Sequence, residues 1–300
     1  MDATVASKAG AGPSATVEGL VVVGVDGSET SVAALEWALE DSALRGGRCR
    51  AIRACRQRDP GEGDPARRRL LGAEQAVLDG LVATVRSRLD RPVEVDAEVV
   101  IGDAPTVLKD RADRAEALVV GSRGRHALTQ ALLGSVSESC LHDAPCPVVV
   151  IPARAAARRP RRGRVVVGID GSAAALAALL WAADEAARRN ADLKVVHAWK
   201  VPGSVVQPFA PSVPVDPAGV RRQADAILAE ATASLVGFDH GRLIGKVVEG
   251  GPADVLLGEA EEADLLVLGG RGLGGWSGLL LGSVSQQCAR HAPCPVAVVR

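Results

Sequence analysis

Two loops in this chain carry the residue types needed to hold a phosphate group. The first runs from Gly121 and Gly124 across nine residues to Gly134 and Ser135; the second runs from Gly269 and Gly272 across nine residues to Gly282 and Ser283, 148 residues further on. Both read G-x2-G-x9-G-S. An anion is held by backbone N–H groups converging with no Cβ in the way, which predicts glycines at positive φ. The serine adds a hydroxyl at the start of the helix that follows. Each loop follows an apolar strand-like run (117–120 and 264–268) and precedes a short helix-like segment. That handover from strand to helix is where α/β sheets hold phosphates. Arg123 and Arg271 occupy the same slot in the two loops. A guanidinium there can pair with phosphate oxygens or stand solvated on the rim.

Two aspartates belong with these loops. Asp26 and Asp170 each close the first strand of a V-G-[VI]-D-G-S segment. A carboxylate at that strand end faces the crevice of a doubly wound sheet and could accept hydrogen bonds from a base or ribose. The competing reading is an Asx turn before the next helix. Gly24 and Gly168, two residues earlier, would leave room for the base or ribose to approach.

Other chemistries find less support. No G-x4-G-K-[ST] occurs, so no P-loop lysine draws charge from the terminal phosphates. Gly270, Gly272 and Gly275 spell G-x-G-x-x-G, but only about 25 residues remain after them, too few for the rest of a dinucleotide unit with its ribose-binding acid. His126 could act as a general base, but the second loop has no counterpart and no partnered nucleophile is evident. Cys140 and Cys146, and Cys288 and Cys294, form two C-x5-C pairs enclosing His142 and His291 at non-equivalent positions. That spacing is not a usual zinc pattern, so the thiols read as small buried apolar groups near the last strand. No catalytic residue and no metal ligand is assigned.

The elements that must position these loops recur twice. Residues 21–28 (VVVGVDGS) match 165–172 (VVVGIDGS), Trp37 matches Trp181, and 144–148 (APCPV) match 292–296. The offset is 144 at Asp26/Asp170 and 148 from the glycine loops onward, so four residues are inserted in the second repeat. Their expected host is the proline-rich stretch 201–217, which cannot be regular helix or central strand. Apolar and amphipathic segments alternate in the first repeat: strands at 20–25, 49–54, 93–100, 117–121 and 147–151, and helices at 31–45, 67–89, 105–114 and 135–142. The second repeat follows the same order, with helices at 173–189 and 219–236. Alternating β and α predicts an α/β fold with a parallel sheet in each repeat and helices on both faces. The expected organisation is a disordered tail at 1–18, domains at 19–152 and 164–300, and a basic linker at 153–163. The stretch 152–164 holds six arginines and reads as solvated, an anionic partner being the other reading. A formal net charge of −1 gives no bulk attraction for nucleic acid or membrane. Apolar runs fall well short of the roughly 20 residues of a membrane helix, and the N-terminus lacks a secretion-signal pattern. A cytoplasmic protein is the expectation.

With both glycine loops, the V-G-[VI]-D-G-S strand ends, the V-x-G-x-x-P segment at 100–105, V-E-G-G-P at 248–252 and the closing C-P-V strands, residues 19–300 resemble a tandem universal stress protein of the ATP-binding kind. The resemblance implies two doubly wound, Rossmann-like sandwiches with five-stranded parallel sheets, pairing through their last strands, and one ATP per repeat with any Mg2+ held by the phosphates. In the first repeat it implies contacts from Gly24, Asp26 and the backbone near Ala54 to base and ribose, and from Gly121, Ser122, Arg123, Gly124, Gly134, Ser135 and Val136 to the phosphates. In the second it implies Gly168, Asp170 and Ala198, then Gly269, Gly270, Arg271, Gly272, Gly282, Ser283 and Val284. The segment 49–55 (CRAIRAC) is more charged than 193–199 (LKVVHAW), which makes the second adenine wall the closer match. Segments 148–151 and 296–299 could pair the repeats within one chain or join two chains. The implied role is a nucleotide-dependent stress sensor with an unidentified protein partner. A slow ATPase or nucleotidyl-transferring enzyme using His126, and a nucleotide-free interaction module, are the rivals.

Overall fold

The computed structural model describes residues 18–56, 64–124, 133–156, 162–200, 216–238, 240–272 and 281–300. The expected tail, except Glu18, lies outside them, as do His126, 157–161 of the linker and 201–215 of the proline-rich insertion. The first repeat forms β1 (Leu20–Gly24), α1 (Glu29–Arg45), β2 (Arg48–Cys55), α2 (Pro65–Arg86), β3 (Glu94–Ile101), α3 (Ala104–Arg111), β4 (Ala117–Gly121), α4 (Ser135–Asp143) and β5 (Val148–Ile151). One helical turn, α5 (Ala153–Ala156), leads toward the second repeat: β6 (Arg164–Ile169), α6 (Ala173–Arg189), β7 (Asp192–Trp199), α7 (Pro217–Ala233), β8 (Leu243–Glu249), α8 (Pro252–Ala260), β9 (Leu265–Gly269), α9 (Ser283–His291) and β10 (Val296–Val299).

The strands join in one sheet ordered β3-β2-β1-β4-β5-β10-β9-β6-β7-β8. Pairing is parallel within each half, as the β/α alternation predicts, and antiparallel only where β5 meets β10, with Val150 opposite Val296 and Val148 opposite Val298. The last strands therefore pair within the chain. Each then has a neighbour on both sides, so neither offers an open edge through which two chains could join.

Strands covered on both faces should be apolar at every position, and β1 shows the consequence. Val21 and Val23 pack on one face with Leu35 and Leu39 of α1, while Leu20 and Val22 pack on the other with Leu108 of α3 and Leu141 of α4. The second repeat divides likewise, with Leu179 of α6 on the first face and Leu256 of α8 on the opposite one.

Two helix boundaries differ from the expected 67–89 and 219–236 in the same way. Asp64 and Asp216 cap α2 and α7 by accepting from Ala66 and Ala218 N–H, and Pro65 and Pro217 stand at the first helical position. Proline's missing N–H costs nothing there, so Pro217, expected to lie in the loop, opens a helix.

Across the seam, α1 and α6 share a buried charge cluster. Arg45 pairs with Asp41 one turn back (2.7 Å) and with Glu185 of the other repeat; Arg189 pairs with Glu185 one turn back (3.1 Å) and with Asp41 of the other repeat. Asp41 and Glu185 are fully buried. Positions 41 and 185, and 45 and 189, differ by the same 144, so the cluster follows the pseudo-twofold of the duplication. Arg45 also pairs with Glu116, and the Arg189 guanidinium lies 4.9 Å from the Trp37 ring centre. Burial, then the Asp41 charge, pushes the Glu185 carboxyl above its usual range, while Arg189, Arg45 and Arg188 oppose the shift.

Among the described residues of the basic stretch between the repeats, Arg154 and Arg162 are exposed, and Arg154 and Arg164 pair with acids of the second repeat. Arg154 meets Glu261 at 3.2 Å and Arg164 meets Glu262 at 2.9 Å. Asp264 accepts from the backbone N–H groups of Arg162, Gly163 and Arg164.

Candidate functional site

In each half, β1 and β4, or β6 and β9, are neighbours whose following helices lie on opposite faces of the sheet. The chain therefore opens a crevice at their carboxyl ends, the place where doubly wound sheets bind ligands. The D-G-S turns and the glycine loops meet there.

Asp26 Oδ1 accepts from Ser28 N–H at 2.8 Å, and Asp170 Oδ1 from Ser172 N–H at 3.0 Å. The Asx-turn geometry is thus present at both positions. Gly27 and Gly171 take φ of +88° and +84°, which accounts for glycine after each aspartate. The other carboxylate oxygens lie against the loops. A Cβ on Gly124 would stand 2.8 Å from Asp26 Oδ2, and one on Gly272 only 2.3 Å from Asp170 Oδ2.

The glycines of the two loops serve close approach rather than unusual backbone torsion. None of Gly121, Gly124, Gly134, Gly269, Gly272 and Gly282 has positive φ, contrary to expectation. A Cβ on Gly121 would lie 2.7 Å from the Thr30 carbonyl carbon, and one on Gly269 would lie 2.8 Å from that of Ala174. Only glycine lets the end of β4 or β9 pass beside the first turn of α1 or α6. Gly24 and Gly168 face leucines instead of the space expected for a base: a Cβ would come within 2.9 Å of Leu108, or 2.8 Å of Leu268 and 2.9 Å of Leu256.

The serines of the G-S pairs are the first residues of α4 and α9, and the caps are Gly134 and Gly282, with no side-chain hydrogen bond. The leading N–H groups of these helices consequently lack a side-chain acceptor, unlike those of α1 and α6, capped by Ser28 and Ser172. Such N-termini favour anions. α3 and α8 also lack a side-chain cap, but carry proline in the first turn.

The second repeat encloses a cavity of about 370 Å³, lined by Gly168, Asp170, Ala198, Gly269, Arg271, Gly272, Gly282, Ser283 and Val284. Its apolar wall includes Val196, Pro252, Leu256 and Leu281. Gly270 is not on the lining; it packs near Val299 and Arg300. In the first repeat the same relations recur: Gly134 N–H donates to Ser122 O at 2.8 Å, as Gly282 N–H donates to Gly270 O at 2.8 Å. The Arg123 carbonyl accepts from Ser28 Oγ (3.1 Å) and Thr30 Oγ1 (2.7 Å), tying the first loop to the start of α1; in the second, Ser172 Oγ donates to Arg271 O at a longer 3.4 Å. Ala54, at the end of β2, packs in the cluster of Val22 and Leu108, and Val136 in α4 joins it.

Sequence reasoning passed over Ser137 and Ser285. Their hydroxyls donate to Gly121 O at 2.6 Å and Gly269 O at 2.7 Å, fastening each loop to its helix. The signal was available, since both repeats read G-S-V-S.

No group of three or more His, Cys, Asp or Glu is arranged to hold a metal ion among the described residues, and no helix among them is long and apolar enough to cross a membrane. None of the six cysteines is joined in a disulfide. Burial pushes the thiols of Cys49, Cys140, Cys146 and Cys288 up to about 12, far from the thiolate form that reacts. At pH 8 the folded protein should leave these four unalkylated by iodoacetamide while the denatured chain reacts at all six. Modification of Cys140 or Cys288 within minutes in the folded protein would contradict this burial.

Comparison with known proteins agrees with this architecture. A family model described as the universal stress protein family matches residues 20–152 and 161–300. A universal stress protein of Mycolicibacterium smegmatis is 34% identical over 302 residues, covering 93% of this chain and 96% of that protein. The crystal structure of a universal stress protein from Archaeoglobus fulgidus superposes with a TM-score of 0.66 at 19% identity, covering 94% of this chain and 98% of that one. A universal stress protein solved in complex with cAMP aligns with 46% of this chain and 96% of its own at 32% identity, with a TM-score of 0.37.

Proposed function

The chain belongs to the universal stress protein family, in its tandem form, and from that premise we propose that it binds adenine nucleotide, ATP first, at two pseudo-equivalent sites and acts as a nucleotide-dependent stress sensor. The observation that carries this reading is the second-repeat cavity, where an aspartate, a glycine loop and a helix N-terminus without a side-chain cap converge beside an apolar wall. Its volume of about 370 Å³ lies within the range of small-molecule sites. The residues fit such a ligand in kind. Val196, Ala198 and Leu256 offer an apolar wall to a base, Asp170 an acceptor for ribose hydroxyls, and Gly272 and Ser283 backbone donors for phosphate oxygens. Bound ATP would supply a charged, Mg2+-binding triphosphate; the protein's part is to hold and orient it.

The first site repeats the aspartate, the glycine loop and the glycine cap. No residue shared by the two repeats stands as a general base, so binding without rapid turnover is expected. Calorimetric titration of the full-length protein with ATP and Mg2+ tests the proposal. Two binding events per chain are expected; absence of heat with ATP, AMP and cAMP alike would overturn it and leave an interaction module.

A further inference from the structure

The two repeats are entered in the same way. Gly163, which leads into β6, and Gly19, which leads into β1, both take positive φ, +65° and +71°. The Gly163 N–H donates to Asp264 Oδ2 at 2.6 Å, and the Gly19 N–H to Glu116 Oε1 at 2.8 Å. Their carbonyls accept from Asp192 N–H at 2.8 Å and from Arg48 N–H at 3.1 Å. Each residue of one set is related to its counterpart by the repeat offset, 144 or 148, so the pseudo-twofold carries one entry onto the other.

The chain that precedes the entry to β6 lies on a helix of the other repeat. Ala155 of α5 is 8% exposed and packs in the cluster that holds Leu35, Trp37 and Ala38 of α1. Ala155, Ala156 and Gly163 line, together with Ala33 and Trp37, a cavity of about 290 Å³. The rotation that takes the entry to β6 onto the entry to β1 takes α1 onto α6. The equivalent place for chain preceding Gly19 is therefore the outer face of α6. That face carries Leu176 and Leu180, one turn apart and 45% and 48% exposed, whereas their counterparts Val32 and Glu36 are half-buried. Two neighbouring leucines left in water on one helix stripe mark a surface that gains by being covered.

We propose that the N-terminal segment, residues 1–17, docks on the Leu176–Leu180 stripe of α6 and ties the first repeat to the second as α5 does on the opposite side of the pseudo-twofold. Counted back by 144, Ala155 falls on Ala11, and Ala9 and Ala11 are small enough to lie flat on a helix. The reach suffices. Glu116, which holds the Gly19 N–H, also pairs with Arg45, and Arg45 pairs with Glu185 of α6. Leu180 and Leu176 lie five and nine residues before Glu185, about 7.5 and 13.5 Å along the helix axis. The seven residues from Ala11 to Glu18 span up to about 23 Å when extended.

The test places a photoreactive benzophenone amino acid at position 176 of the full-length chain, with Leu180 unchanged. Irradiation should give an intrachain cross-link to residues 1–17, located by mass spectrometry of the tryptic peptides. A covalent dimer on a denaturing gel would overturn the proposal and assign the stripe to a second copy; no cross-link to either would overturn it and leave the tail free, as the sequence alone suggests. A second measurement needs no unnatural residue. Leu180→Asp should speed trypsin cleavage after Lys8 several-fold, whereas Val77→Asp, at an exposed apolar position of α2, should leave the rate unchanged. Equal acceleration by both, or by neither, would overturn the assignment, with melting temperatures confirming that each variant is folded.

Discussion

Gly272→Ala should empty the second site while leaving the fold intact. The new Cβ would stand 2.3 Å from Asp170 Oδ2, so the carboxylate must move, and its hydrogen bond with Ser172 N–H at 3.0 Å is lost or distorted. Hydrogen bonds to charged groups contribute about 1.5–3 kcal/mol, and the displaced carboxylate is also the acceptor proposed for ribose. A loss of about 10- to 100-fold in ATP affinity at that site follows. The backbone tolerates alanine because Gly272 is exposed and is not among the glycines with positive φ. Gly124→Ala, with its Cβ at 2.8 Å from Asp26 Oδ2, should act in the same direction more weakly. Titration calorimetry of Gly272→Ala should show one ATP per chain in place of two. Two sites of wild-type affinity would show that the Asp170–Gly272 contact is irrelevant to the ligand.

Arg45→Ala should produce the largest loss of stability of any single change in the seam. It strands Asp41 and Glu185, both fully buried, with only the partly buried Arg189 and Arg188 to face them. Removing one partner of a buried ion pair costs about 3–5 kcal/mol. Arg189→Ala should cost less, since Arg189 is 15% exposed and Arg45, at 3%, would still meet both acids. Replacing all four charges with apolar residues of similar volume should be far milder than Arg45→Ala, because no buried charge is left alone. Urea denaturation of the three variants checks this order. An Arg45→Ala protein as stable as wild type would show that water or rearrangement already satisfies the acids.

The sheet was legible because its signals are local and doubled. Consecutive β-branched residues such as 21–23, followed by Gly24, fit a strand buried on both faces, and the same string recurs at 165–167. The junction of the halves was legible only as a choice, since a short apolar strand such as β5 needs a partner but does not name it. The charge cluster was not legible at all. Asp41 and Arg45 are four residues apart on one helix, a spacing that does not tell a buried pair from an exposed one, and their burial depends on α6 arriving from another repeat. In the site, spacing singled out glycines that the structure brings to the crevice, but at φ values other than the positive ones expected. Close passage of β4 by α1 is a tertiary relation, so sequence could point to glycine without showing that Thr30 is what excludes a side chain. Gly24 shows the converse, since the feature that fills its missing Cβ is Leu108, a residue 84 positions away.

The central claim is that the paired glycine loops hold adenine nucleotide. Freshly purified full-length protein should be denatured and the released small molecules identified and counted by chromatography and mass spectrometry. The account predicts adenine nucleotide, chiefly ATP, approaching two per chain. Release of none, followed by no heat on adding ATP with Mg2+, would contradict it.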